Sequence, residues 1–144
     1  MIITCYRGGT MGKLKSVGIY ACDNKSIAED FGCIAKELHT LVIESNNTAI
    51  IDAQGNRYGW IPVNKESIPS PILFDLFTDF QNNVTHSKFI SSDDIATICR
   101  KSGYDVVIIN NVREGIQSDK IITDYIIFNN AKIISDTMEI IDDD

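Results

Sequence analysis

Apolar positions along this chain fall into short runs, most of them of strand length. "IITCYR" (residues 2–7) has β-branched residues at its start and stops at Gly8-Gly9, where backbone without a side chain can approach another group closely. "KSVGIYAC" (15–22) predicts a second short strand. Asp23 reads as an N-cap, because Ile27, Phe31, Ile34, Ala35 and Leu38 follow at helical spacing. "HTLVIES" and "NTAIID" predict two strands separated by the turn-forming Asn46-Asn47, and "AQGNRYGWIPV" is rich in turn residues.

Ser70-Pro71 is a cap followed by a first-turn proline, and Leu73, Leu76, Phe77 and Phe80 then share one helical face up to a stop at Asn82-Asn83. "SSDDIATICRKSG" predicts a third helix, with acids in its first turn, bases in its last and Gly103 beyond its end. "YDVVIIN", the polar loop "NVREGIQSDK", "DYIIFN" and "AKIIS" complete the pattern. Strands outnumber helices without alternating with them, which predicts an α+β fold rather than a doubly wound sheet. Residues 1–138 read as one domain and 139–144 as an acidic, frayed tail, since the like charges of "EIIDDD" repel one another.

Charge narrows the classes of function. Thirteen basic and twenty acidic residues give a net charge of -7, which argues against a broad surface tracking nucleic-acid phosphates. Cys5, Cys22, Cys33 and Cys99 are widely spread with no CxxC pair and, with His39 and His86 in unrelated contexts, make a poor set for zinc. Free thiols in a reduced, cytoplasmic setting are the expectation. The start "MIITCYRGG" lacks the pattern of a signal peptide, and no stretch has the length of a membrane span.

Three places carry candidate chemistry. Arg7 ends an apolar strand just before Gly8, where a guanidinium can hold phosphate or ribose oxygens and the Gly8 backbone can pair with a ligand amide. The same position also suits an arginine facing water. Tyr20 and Phe31 can wall a flat heterocycle or pack as ordinary core, while Trp60 lies among polar turn residues. Asp124 opens the strand "DYIIF" and shares a face with Ile126 and Phe128, so it is either at the rim of that face or functional. Arg113 and Glu114 read as a solvated loop pair.

Taken in order, these segments resemble the ADP-ribosyltransferase superfamily, including small transferase-like domains of phage polyvalent proteins. "CYRGG" is similar to its first-strand motif, "GIYACDNKSIAEDFG" to the "GIYFAD" segment and following helix, "AIIDAQGNRYGW" and "GYDVVIINNVREG" to phage-type domains, and "TDYIIFN" to the strand supplying the catalytic acid. The resemblance implies a split antiparallel β core with about three short helices, with NAD as substrate. Arg7 would engage the ribose or phosphate, Gly8 the nicotinamide carboxamide, Tyr20 and Phe31 the nicotinamide ring, and Asp124 would be the acid. Trp60 is a further candidate for the NAD site. The implied activity is mono-ADP-ribosylation of a protein or other macromolecule by a phage or bacterial effector. The alternative is an acidic binding or inhibitor protein with altered catalysis. The acid is an aspartate, one methylene shorter than the usual glutamate. "YACD" stands where a serine-threonine-serine motif is expected, and no acid lies two positions before Asp124.

Overall fold

The computed structural model describes residues 1–11, 18–33, 35–114 and 119–141. In chain order its elements are β1 (Ile2–Gly8), β2 (Ile19–Cys22), α1 (Lys25–Phe31), β3 (Glu37–Glu44), β4 (Thr48–Asp52) and β5 (Ile61–Pro62). Then follow α2 (Pro71–Phe80) with a π-helical turn (Gln81–Thr85), β6 (Phe89–Ile90), α3 (Ser92–Lys101), β7 (Val106–Glu114), β8 (Lys120–Ile127) and β9 (Lys132–Ile140). Seven strands make one sheet in the order β4-β7-β8-β2-β1-β3-β9, and β5 pairs with β6 separately.

The sheet is mixed, because β4 runs parallel to β7 while the other pairs are antiparallel. This corrects the expected split antiparallel α+β core: the fold is β-rich, built on one seven-stranded mixed sheet. Parallel neighbours need a long crossover, and α2 and α3 lie in the connection from β4 to β7. Two apolar runs carry no mark of their mutual direction, so composition alone does not reveal this pairing.

One face of the sheet meets α2 and α3 over Ile51, Phe77, Ile95, Cys99, Ile109, Ile126 and Phe128, all essentially inaccessible to water. Burying a side chain such as Phe77 contributes roughly 1.5–3 kcal/mol relative to leaving it exposed. Ser70 and Ser91 cap the two helices as their sequences predict, accepting from the amides of Leu73 and Asp94. The chain passes through Asn82-Asn83 in the π-helical turn and stops only at His86, whose φ is 54°.

The first helix is shorter than its apolar spacing predicts. Asn24, not Asp23, is the cap, accepting from the Ile27 amide at 3.0 Å. Gly32 ends the helix, and Leu38 belongs to β3, where it packs with Ile27 and Ala28 from the other side. Helix α1 lies so close to β1 that a Cβ at Gly8 would overlap the Ala28 carbonyl oxygen.

At the far edge, β9 pairs with β3 through Glu139 and Ile140, so the chain stays in register where a frayed tail was expected from residue 139. Buried His39 ties this edge, with Nδ1 2.7 Å from Asp136 and Nε2 3.1 Å from Glu37. Residues 142–144 of that tail lie outside the described residues. No described helix is long and apolar enough to cross a membrane.

Gly8→Ala should therefore destabilise the fold by about 3 kcal/mol or more, at the upper end for overpacking, because backbone and not a flexible side chain opposes the methyl. Gly59→Ala, where a Cβ meets nothing within 4 Å, should change stability by no more than about 0.5 kcal/mol. Equal urea midpoints for the two variants would refute this account of the α1–β1 contact.

Candidate functional site

Strand alternation puts Tyr6 and Gly8 of β1, Tyr20 and Cys22 of β2, and Ile122 and Asp124 of β8 on the face that carries the helices. Between α1 and α3 that face is left open as a cleft of about 320 Å³. Its floor is formed by Tyr6, Gly8, Tyr20, Cys22 and Asp124, with Phe31 at the end of α1, Ser92 and Asp93 at the start of α3, and Tyr58 from the β4–β5 connection around it. Strands β1 and β2 meet at a single residue pair, Tyr6 and Cys22.

Arg7 works across this junction. Its Nη1 donates to the Tyr20 carbonyl oxygen at 2.8 Å and its Nε to that of Thr10 at 3.1 Å. Two of its five guanidinium N–H groups are thus committed to backbone among the described residues. Burial lowers the arginine's pKa from its ordinary value. Arg7 is half-buried, neither simply facing water nor free to swing.

Tyr20 donates its hydroxyl to Asp93 at 2.6 Å, which fixes the ring against the cleft. Burial, followed by this bond to a carboxylate, pushes the phenol well above its usual range. Phe31 is 61% exposed yet lines the cleft, so it is not part of the core that helical periodicity allowed.

Asp124 lies inside a strand, not at its start. Strand β8 begins at Lys120, and Asp124 is flanked by Cys22 of β2 and Ile109 of β7. Its neighbour in the cleft is Glu114, which sequence reading assigned to a solvated loop. Glu114 is 8% exposed and its carboxyl lies within hydrogen-bonding reach of that of Asp124. Two carboxyl groups can share such a bond only when one of them carries a proton.

A β-bulge explains why Glu114 faces inward. The register of β7 with β8 shifts by one residue between Ile109 and Val112, where Asn111 has φ 57°. Without the shift, alternation from Ile109 would turn Arg113 to the cleft and Glu114 away. The signal available in sequence was Asn110-Asn111, since asparagine tolerates the left-handed conformation.

Burial pushes the Asp124 carboxyl up to about 8, and the charge and hydrogen bond of Glu114, then the charge of Asp23, add to the rise. Burial also raises Glu114, opposed by the bond from Asp124 and by Arg57. Carboxyls of this kind titrate as a pair and can hold a proton at neutral pH.

The cleft thus collects Arg7, Gly8, Tyr20, Phe31 and Asp124. Trp60 is not among its lining: it is 62% exposed and stacks edge-on against Phe89, ring centres 5.9 Å apart. Tyr58, two residues earlier, reaches the cleft instead.

No protein-family model matches the sequence, and no curated protein matches it. Among solved structures, the chain is similar to the crystal structure of an anti-CRISPR protein. The match covers 95% of this chain and 96% of that one, at 11% identity and a TM-score of 0.53. At that identity the likeness speaks to the fold alone.

The raised Asp124 carboxyl has a consequence for stability. The folded chain keeps a proton that the unfolded chain releases near pH 4, so between pH about 4 and about 8 the native state binds more protons and loses stability as pH rises. Asp124→Asn should remove most of this slope. Thermal melts should show the variant gaining on wild type from pH 4.5 to pH 8; a difference that is constant across the series would contradict a protonated pair.

Proposed function

We propose that this chain is a mono-ADP-ribosyltransferase that takes NAD as substrate and modifies a macromolecular acceptor, most simply a protein. The observation that carries the reading is the convergence of Arg7, Gly8, Tyr20, Phe31 and Asp124, from four separate elements, on one cleft. The order of the motifs containing these residues resembles that of ADP-ribosyltransferases.

The residue types suit cleavage of the nicotinamide–ribose bond. As that bond breaks, its electron pair goes to the ring nitrogen, nicotinamide leaves neutral, and positive charge develops on the ribose, as in glycoside cleavage. An ionised Asp124 would stabilise that charge or hold a ribose hydroxyl. Tyr20 and Phe31 would enclose the leaving ring and keep water away, and the Gly8 backbone would meet its carboxamide. The remaining N–H groups of Arg7 would hold ribose or phosphate oxygen. Orientation of the substrate supplies much of the rate.

A second reading comes from the anti-CRISPR protein that the fold is similar to. On this reading the chain inhibits a CRISPR component by binding it, with a net charge of -7 on the whole chain favouring a basic partner. The two readings meet if the ADP-ribosylated acceptor is itself such a component, as would suit a phage-encoded effector.

The test is release of nicotinamide from NAD by the purified chain. Asp124→Ala should lower the rate by at least ~100-fold, the loss of one main electrostatic stabiliser, whereas Trp60→Ala should stay within about 2-fold of wild type. Arg7→Ala should weaken NAD binding and, through loss of its bond to the Tyr20 carbonyl, also lower the melting temperature. A wild-type chain that neither binds nor cleaves NAD would remove the enzymatic reading and leave the inhibitor.

A further inference from the structure

An aspartate in the place of a longer acid must be held in position by something other than its own reach. Two features of β7 address this. The bulge between Ile109 and Val112 brings Glu114 onto the cleft face, where its carboxyl and that of Asp124 line the same cleft within hydrogen-bonding reach. The bulge is itself anchored, since Thr123, next to Asp124, donates its hydroxyl to the Asn110 side chain at 3.1 Å. Bulges beside functional sites commonly re-aim a side chain in this way.

We propose that Glu114 is a positioning residue that acts through Asp124: one proton shared between the two carboxyl groups fixes the Asp124 carboxyl, so that its other oxygen faces the ribose. The proposal rests on the NAD reading above. Glu114 itself touches no reacting atom.

The surroundings favour a pair that holds one proton. Asp124 is faced by Glu114 from β7 and by Cys22 and Asp23 at the end of β2, with the Tyr20 phenol in the same cleft. Glu114 is faced by Asp124 and Cys22 and by the cation Arg57 from the β4–β5 connection, while Arg7 of β1 and Asp93 of α3 line the same cleft. With several acids and few cations close by, the doubly ionised pair is disfavoured. The productive form has the proton on Glu114 and the charge on Asp124. Positive charge developing on the ribose stabilises that arrangement, and the proton count does not change during bond cleavage. With two protons the pair has no charge to offer, and with none it has no shared bond to hold Asp124 in place.

Wild type should therefore show a bell-shaped pH dependence of nicotinamide release, declining on the alkaline side near or above about pH 8. Glu114→Gln keeps a donor, its amide N–H, to an ionised Asp124. It should retain kcat within about 3-fold at the optimum but lose the alkaline decline. Glu114→Ala keeps neither, and kcat should fall at least ~30-fold with little change in KM for NAD, as expected for misplacement of a reacting group.

Circular dichroism melts establish that each variant is folded; if the alanine variant is not, the pH profile of the glutamine variant decides alone. Profiles and kcat equal to wild type in the folded variants would overturn the proposal. So would an equal loss in both variants, which would point to Glu114 acting directly. Wild type that releases no nicotinamide at any pH would instead fail the NAD reading, and this proposal with it.

Discussion

Strand β7 is buried on both faces from Val106 to Ile109, and its antiparallel pairing with β8 is the contact on which the cleft depends. This pair joins the parallel edge strand β4 to the rest of the sheet. It also sets the register that places Ile126 and Phe128 under the helices and Asp124 in the cleft. Because side chains alternate with a period of two, a slip of one residue would turn each of these to the opposite face. The apolar side of β8 therefore enforces the position of its one acid. Displacing Asp124 from the cleft by a slip would also pull Ile126 and Phe128 out of the core beneath the helices.

The bulge in β7 uses the same rule in a controlled way. It leaves the apolar half of the strand in register and shifts only the part beyond Asn111, exchanging Arg113 for Glu114 on the cleft face. Arg113 is then free to bond the Gly55 carbonyl and Asp119 on the outside. A buried carboxyl costs stability unless it shares a proton or meets a cation. A cleft that retains Glu114 and Asp124 side by side, near the half-buried Arg7, carries a cost that core packing elsewhere must offset. Such local expense is characteristic of sites shaped for chemistry rather than for stability.

Several residues serve fold and cleft together. Arg7 links β1 to the Tyr20 carbonyl, Gly8 makes room for the Ala28 carbonyl, and Tyr20 reaches across to Asp93 at the start of α3. The cleft is thus bounded by two helices tied to the same two strands. Any role for these side chains in binding has to be separated from their part in holding the walls together.

Local pattern was enough for the capped helices α2 and α3 and the strands on either side of Asn46-Asn47, because caps and period are properties of neighbouring residues; for Arg7, Tyr20, Phe31 and Asp124 it left ordinary and functional roles both open. It did not reach the direction of β4 relative to β7, the early end of α1 or the extension of β9 to Ile140, which depend on contacts between residues distant in the chain. Trp60 looked suited to a cleft because it is a large ring among polar residues, but its partner Phe89 lies elsewhere. Glu114 shows the division most clearly. Its sequence neighbours describe a solvated loop, and only a register shift set by pairing with β8 turns it to Asp124. Sequence alone determined which side chains were available for a site; long-range pairing decided which of them share a face, because a strand's two faces differ by a single residue step.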